Sequence, residues 1–163
     1  MGIAITLAQY LVDCGITYDL VPHSHTETAS QTAAASGIPP DKIVKAVVVK
    51  GADGFKLALL PASRHIQFEG LRELLGDTVD LANEEQVESL FADCEPGSVP
   101  ALGAAYGLDV VVDDSLATQP DLYIEGGDHA NLVHISGADF RKLTDNARHD
   151  QFTRHASERL KWL

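Results

Sequence analysis

The chain has 163 residues, 45% of them hydrophobic, and a formal net charge of −12. This length and hydrophobic content suit one globular domain with a substantial core, and no apolar run approaches the roughly 20 residues that a membrane-spanning helix needs. The negative charge argues against a protein that binds long nucleic acids through many phosphates, although it allows a partner contacted at one small site.

Hydrophobic periodicity and turn residues predict helices and strands interspersed along the chain. Hairpin links outnumber strand–helix–strand units, which predicts a single α+β domain over residues 1–163, with a mixed, barrel-like central sheet flanked by helices. The core is expected over residues 3–147, and the polar residues 148–163 are expected to form a tail that frays. In chain order the predicted elements are a helix at 3–14, a strand at 17–21, a helix at 28–36, hairpin strands at 43–49 and 55–60, a helix at 68–75, a strand at 79–82, a helix from 84 to about 91, a loop at 95–103, strands at 108–112, 122–125 and 131–135, and a helix from about 138.

Lys45 interrupts the first hairpin strand, which is otherwise apolar from Ile43 to Val49. Strand alternation places Lys45 on the same face as Ile43, Val47 and Val49, and Lys50 on the opposite face. A lysine on an edge strand or a solvated face is ordinary and protects against aggregation. On an apolar face it must either extend its ammonium to water or line a cavity. The pattern leaves these alternatives open.

The segment CEPGSVPALG, residues 94–103, is a second candidate for a binding site. Pro96 and Pro100 restrict its path, and Gly97 allows another molecule to approach the backbone closely. The same composition is typical of a plain connector, so both interpretations remain open. Gly103, beyond the second proline, is expected to tolerate alanine.

His23 and His25 form a His-x-His pair, which can ligate a metal when it lies on a strand. Glu27, His65 and His129 are available as further ligands, but none lies at a diagnostic spacing. Two histidines in a strand-to-helix turn are more often polar loop residues. We therefore expect no metal site.

Other signatures of a cofactor or a nucleophile are missing from the sequence. No Gly-x-Ser-x-Gly elbow and no phosphate-binding glycine loop of the Walker or Rossmann type occurs, so no nucleotide cofactor is expected. Cys14 and Cys94 are too few for a disulfide framework, and the chain shows no secretory signal. A reducing cytoplasm is the expected compartment.

Three segments together resemble the YbaK-like proteins, which are related to the editing domain inserted in bacterial prolyl-tRNA synthetases. They are HTETASQTAAASGIPPDKIVKAVVVK, PGSVPALG and LYIEGGDHANLVHISGADFRKLT, and the resemblance covers residues 3–147. It implies the fold of that family and the hydrolysis, in trans, of a mischarged aminoacyl-tRNA carrying a small amino acid. It also implies the acceptor end of the tRNA as a partner, a synthetase as a further candidate partner, and no cofactor, DNA or membrane.

The resemblance also implies roles for individual residues. The strand lysine is the residue most associated with activity in such deacylases, and here it is Lys45. A histidine on the late strand is associated with the site in part of the family, and His134 matches it. The Gly/Pro loop that borders the aminoacyl pocket corresponds here to Gly97, Ser98, Val99 and Pro100.

Two departures from the family pattern leave the amino acid open. Ala46, a further candidate substrate contact, stands where relatives specific for alanyl-tRNA tend to carry asparagine. Pro100 follows Gly97 by three residues, whereas family loops often have four. The competing hypothesis is a non-catalytic module of the same fold that binds an aminoacyl group or a protein partner.

Overall fold

The computed structural model describes residues 2–155. Within them, short 3-10 turns at Pro40–Lys42, Gly103–Tyr106 and Asp114–Leu116 join longer elements. The helices are α1 (Ile5–Asp13), α2 (Ala29–Ser36), α3 (Phe68–Leu75), α4 (Glu84–Leu90) and α5 (Gly137–Leu143). The strands are β1 (Asp19–Pro22), β2 (Ile43–Gly51), β3 (Gly54–Pro61), β4 (Arg64–Ile66), β5 (Asp80–Leu81), β6 (Asp109–Asp113), β7 (Asp121–Glu125), β8 (Asn131–Ser136), β9 (Arg148–Asp150) and β10 (Thr153–His155).

The predicted helices α2 and α4 begin and end at capping residues that the sequence contains. Thr28 caps α2 by accepting a hydrogen bond from the Gln31 N–H, and Gly37 ends the helix in the left-handed conformation. Asn83 and Gln86 form a reciprocal capping box at the start of α4. α1, with nine residues, is the longest helix of residues 2–155, so none of these helices has the length or apolar content to cross a membrane.

Eight of the described strands form one mixed sheet in the order β1-β8-β7-β2-β3-β6-β9, with β5 also paired to β2. β2 pairs in parallel with β7, β3 with β6, and β6 with β9, while the remaining ladders of this sheet are antiparallel. β4 and β10 form a separate antiparallel pair. The mixed α+β architecture is thus confirmed. Among the described strands, the hydrogen-bonded order of this sheet runs from β1 at one end to β9 at the other.

Each face of the sheet carries its own core. The first core packs α1, α4 and α5 against one face and contains Leu7, Phe140 and the even-numbered Val44 and Val48 of β2. The second core lies on the opposite face and contains Val49, Ala58, Leu71, Val79, Val111 and Phe152. The side-chain alternation predicted for β2 is therefore present.

The C-terminal segment is more ordered than its composition predicts. Residues 148–155 contain β9, which extends the sheet beside β6, and β10, which pairs with β4. Between them Phe152 is fully buried in the second core, and its N–H donates to Oδ1 of the buried Asp113 at 3.0 Å. The expectation of a core ending at 147 and a fraying tail is therefore wrong for residues 148–155, because one aromatic side chain and two ladders hold them. Residues 156–163 of that predicted tail lie outside the described residues.

Phe152→Ala is expected to lower the free energy of unfolding by about 3–5 kcal/mol, because it leaves a cavity in the second core. Urea unfolding followed by circular dichroism measures this change. Gln151→Ala, at the exposed neighbouring position, is the control and should change stability by less than about 0.5 kcal/mol. A similarly small change for Phe152→Ala would show that the segment contributes nothing to the core.

Candidate functional site

The central sheet has a gap beside β2. β7 pairs with β2 at Ile43 and Val44, and β5 pairs with it at Val49 and Lys50. Residues 45–47 lie between these ladders and pair with β3 alone. An open strand edge of this kind leaves backbone donors and acceptors available to a ligand.

Ala46 directs its backbone groups into this gap. The Ala62 N–H donates to the Ile43 C=O at 2.9 Å, so the alternation of the β2–β3 ladder turns the backbone groups of odd-numbered residues toward β3. The N–H and C=O of Ala46 therefore point the other way. No turn or loop within residues 2–155 bonds to them.

A cavity of about 200 Å³ lies at the gap. β2, the start of α2, the loop at 97–99 and the end of β7 surround it. Its volume is below the roughly 300–1,000 Å³ of sites for drug-sized ligands, so it suits a small chemical group. The lining residues that bear on its chemistry are Glu27, Thr28, Lys45, Ala46, Gly97, Val99 and Glu125.

Lys45 lines this cavity, so the structure favours the cavity alternative over a solvated lysine. Its ammonium donates to the C=O of Arg64 at 3.1 Å and forms no ion pair within residues 2–155. Burial lowers the pKa of Lys45, because the surroundings solvate the charged form less well than water does. An ammonium has three N–H donors, and Arg64 takes one, which leaves two for a ligand.

Glu125 brings a carboxylate to the same cavity. Its Oε2 accepts a hydrogen bond from Ser98 Oγ at 3.0 Å, and its Oε1 accepts one from Thr32 Oγ1 at 3.4 Å. Burial raises the pKa of Glu125, although these hydrogen bonds and the nearby His129 and His23 oppose the shift. The sequence analysis missed this residue.

Lys45, Glu125 and the exposed Glu27 give the cavity charges of both signs. Lys45 and Glu125 are the two that are largely shielded from water. No ion pair within 4.0 Å joins them in the described chain. A ligand can therefore place a carbonyl or an anion against Lys45 and a cation against Glu125 without displacing an internal salt bridge.

The loop at 97–99 is held against the turn between β7 and β8 by His129. The ring of the buried His129 bonds through Nε2 to the Pro96 C=O at 2.5 Å, and the backbone N–H of His129 donates to Ser98 Oγ at 3.3 Å. Gly97 has φ of +84°, a left-handed conformation that favours glycine, and a Cβ there would lie 3.5 Å from His129 Cε1. The loop thus has a defined position beside the cavity.

The predicted site residues fall into three groups. Ser98 is fully buried and contacts Glu125 through its hydroxyl, so it supports the cavity from behind. Pro100 is buried outside the lining that encloses the cavity. Those that the structure brings together in the lining are Lys45, Ala46, Gly97 and Val99.

His134 lies outside this lining. Its Nε2 bonds to Asp121 Oδ1 at 2.8 Å, its Nδ1 lies 3.5 Å from Asp19 Oδ2, and its ring stacks on Tyr123 with centroids 4.7 Å apart. These neighbours come from β1 and β7, on either side of β8. The role of His134 in substrate binding stays a prediction.

The expectation that Gly103 tolerates alanine is wrong. Gly103 is buried, and a Cβ there would lie 2.6 Å from Val110 Cγ1 and 3.0 Å from the Leu108 O. The turn at Gly103 packs directly against β6, which the local sequence does not reveal.

The His-x-His pair lies in the turn before α2. His23 Nδ1 bonds to the Ser24 C=O at 2.7 Å, and the buried Nε2 has no hydrogen-bond partner among the described residues. His25 lies 3.7 Å from Glu27 and 3.8 Å from Glu95. Residues 2–155 contain no group of three His, Cys, Asp or Glu side chains arranged to hold a metal ion.

Cys94 is a poor candidate nucleophile. Burial raises the pKa of its thiol to about 11, so the reactive thiolate is scarce at neutral pH. Its sulfur lies 3.4 Å from the Tyr106 hydroxyl.

A larger depression of about 620 Å³ lies elsewhere, between the tip of the β2–β3 hairpin and the end of α5. Lys56 and Asp109, two charged residues in its lining, pair with each other at 3.7 Å. The smaller cavity combines an open strand edge with two charged side chains that are largely shielded from water, Lys45 and Glu125, and we therefore take it as the candidate site.

Comparisons with known proteins connect this geometry to a family. The family model described as "Aminoacyl-tRNA editing domain" matches residues 23–143. The proline–tRNA ligase of Thermosipho melanesiensis is 36% identical over 119 residues, which cover 72% of this chain and 21% of that protein. That of Thermosipho africanus is 39% identical over 76 residues, which cover 46% and 14%. The chain thus spans about a fifth or less of the length of these curated relatives.

Solved structures share the fold. The crystal structure of a proposed trans-editing enzyme for prolyl-tRNA synthetase is similar with a TM-score of 0.79 at 25% identity, over 93% of this chain and 96% of that one. A hypothetical protein gives a TM-score of 0.80 at 24% identity, over 91% and 99%. The fold and the family resemblance inferred from the sequence motifs are confirmed.

Glu125→Gln is expected to raise the melting temperature at about pH 7 and to leave it unchanged at about pH 4. Because the folded-state pKa lies above the 4.5 of a free glutamate, the folded protein binds this proton more tightly, and stability falls as pH rises from 4.5 through the raised value. Glutamine cannot ionise, so the variant avoids this loss of stability, and its side-chain oxygen still accepts the hydrogen bond from Ser98. Scanning calorimetry at both pH values measures it.

The control for this prediction is Glu95→Gln, a carboxylate on the exposed part of the loop. Its melting temperature should follow that of the wild type at both pH values. A melting temperature of Glu125→Gln at or below that of the wild type at about pH 7 would contradict the burial argument.

Proposed function

The chain belongs to the aminoacyl-tRNA editing domain family, and on that premise we propose that it hydrolyses the ester of a mischarged aminoacyl-tRNA carrying a small amino acid. The observation that carries the proposal is the Lys45 ammonium, which lines a cavity of about 200 Å³ with N–H donors to spare. The net charge of −12 fits contact with the acceptor end alone, since extended contact would need many phosphate-binding cations. A synthetase partner would supply further affinity, and the cytoplasm is the proposed compartment.

The proposed reaction requires little chemistry from the protein. The oxygen of a water attacks the ester carbonyl carbon, the bond from that carbon to the ribose oxygen breaks, and the ribose oxygen takes the proton that the water loses. Aminoacyl esters are already activated, so positioning the water and stabilising the oxyanion suffice. The ribose hydroxyl beside the ester assists in orienting the water.

Two donors are available for the oxyanion. The Lys45 ammonium offers N–H groups into the cavity, and the Ala46 N–H points into the gap beside it. Gly97 lets the acyl group approach the loop backbone, and Ser98 fixes Glu125. Pro100 restricts the loop from behind, and His134 is proposed as a contact for the part of the substrate outside the cavity.

The competing hypothesis is a module of the same fold that binds without cleaving. A deacylation screen with purified protein over a panel of mischarged tRNAs separates the two. Hydrolysis of at least one aminoacyl-tRNA above the spontaneous rate supports the proposal. Binding of the panel without hydrolysis of any member would support the module instead.

Lys45→Ala is expected to reduce deacylation by roughly 100- to 1,000-fold, the usual loss when one oxyanion donor is removed. Single-turnover deacylation of the best substrate measures it, and circular dichroism checks that the variant is folded. The matched control is Lys50→Ala, whose exposed side chain lies on the other face of β2 over the Phe55 ring. A folded Lys45→Ala with the wild-type rate would remove Lys45 from the mechanism.

Gly97→Ala is expected to lower deacylation by roughly 100-fold, because relief of its positive φ displaces the loop beside the acyl group. Gly107→Ala introduces the same left-handed strain, at φ of +72° and with open space around the added Cβ, outside the cavity lining. Both variants should lose about 1–2 kcal/mol of stability, and Gly97→Ala alone should lose activity. Equal activity in the two variants would show that the loop is a plain connector.

A further inference from the structure

The proposed hydrolytic steps leave the Glu125 carboxylate without a direct role. It lines the cavity, yet its hydrogen-bond partners, the hydroxyls of Ser98 and Thr32, are neutral. A half-buried carboxylate with neutral partners is costly to ionise, and a cation brought by a ligand offsets that cost. The position is therefore suited to a positively charged group of the substrate.

The histidines near Glu125 do not supply that cation as an ion pair. The His129 ring is bonded to the Pro96 C=O, and the His23 ring is bonded to the Ser24 C=O. Neither forms an ion pair with Glu125 among the described residues. The carboxylate thus keeps capacity to accept from a ligand.

An aminoacyl ester carries a partner for each of Lys45 and Glu125, namely an ester carbonyl and an α-ammonium. Its α-ammonium is separated from the ester carbonyl by a single carbon atom, so both groups fit within a cavity of about 200 Å³. With the carbonyl against Lys45, the ammonium of the same small group is available to Glu125 across the cavity. Acylation of the amine removes its charge and adds bulk at the same point.

We infer that Glu125 binds the α-ammonium of the aminoacyl group, so that the protein selects esters of free amino acids over esters with a blocked amine. This inference rests on the proposed function and names its substrate class. Peptidyl and N-acylated esters are disfavoured because their amine carries no positive charge to bind Glu125. Lys45 donates to the ester carbonyl. Glu125 thus acts as a specificity-determining residue.

The test compares one aminoacyl-tRNA, chosen from the deacylation panel, with the same tRNA after N-acetylation of its amino acid. The wild type is expected to favour the free amine in kcat/KM by roughly 10- to 100-fold, the range expected for a hydrogen bond to a charged group. In Glu125→Gln this preference should disappear, because kcat/KM for the substrate with the free amine falls, mainly through a higher KM. The kcat/KM for the acetylated substrate should stay the same. Glu95→Gln, a carboxylate outside the cavity lining, should keep the wild-type preference.

Several kinetic outcomes overturn the inference. Equal hydrolysis of the two substrates by the wild type does so. An equal loss on both substrates in Glu125→Gln also does so, because it would identify a general base or a purely structural group. A loss of preference in Glu95→Gln would place the selecting charge elsewhere.

A binding experiment separates failure of this inference from failure of the proposed hydrolysis. Adenosine that carries an alanyl group through a 3′ amide is not cleaved, and its affinity is measured by calorimetry with a free and with an acetylated amine. Tighter binding of the free amine, lost in Glu125→Gln, supports the inference even for a protein that hydrolyses no panel member. Binding of both analogues alike, or of neither, overturns it.

Discussion

The hydrogen bond from Lys45 Nζ to the Arg64 carbonyl is the interaction on which the site depends. A lysine on an apolar strand face keeps its charge only where an acceptor replaces water, and this carbonyl does so at 3.1 Å. Arg64 lies in β4, and its guanidinium bonds to Thr153 of β10 and lies 3.9 Å from the buried Asp113. The pairing of β10 with β4 thereby positions the Arg64 carbonyl, and this carbonyl in turn positions the Lys45 ammonium.

The gap beside β2 is the second constraint, because it leaves the backbone groups of Ala46 without a strand partner at the cavity. A continued ladder would cover Ala46 with another strand, as β7 covers Val44 and β5 covers Val49. The turn after Glu125 leads β7 away from β2, and the loop held by His129 lies beside the open edge. Ladder hydrogen bonds are therefore absent on one side of residues 45–47, where the groups of a small ligand can take their place.

Features set by neighbouring residues could be predicted from the sequence, whereas features set by distant contacts could not. The caps of α2 and α4, the hairpin and the face of Lys45 follow from local patterns. The burial of Glu125 depends on Ser98 and Thr32, which lie 27 and 93 positions away. Its one local signal is a carboxylate at the end of an apolar strand, directly before two glycines. The order of residues 148–155 likewise depends on distant contacts: the burial of Phe152 and the ladders of β9 with β6 and of β10 with β4.

We propose that the gap beside β2 receives the aminoacyl group. An amide NMR titration with alanyl-3′-amino-3′-deoxyadenosine tests it most directly, because each backbone N–H reports its own surroundings. We expect the largest shifts at Ala46, Gly97 and Glu125, with little change at Lys56 or Arg148 in the larger depression. Shifts concentrated at Lys56 and Arg148, with Ala46 unchanged, would contradict the claim.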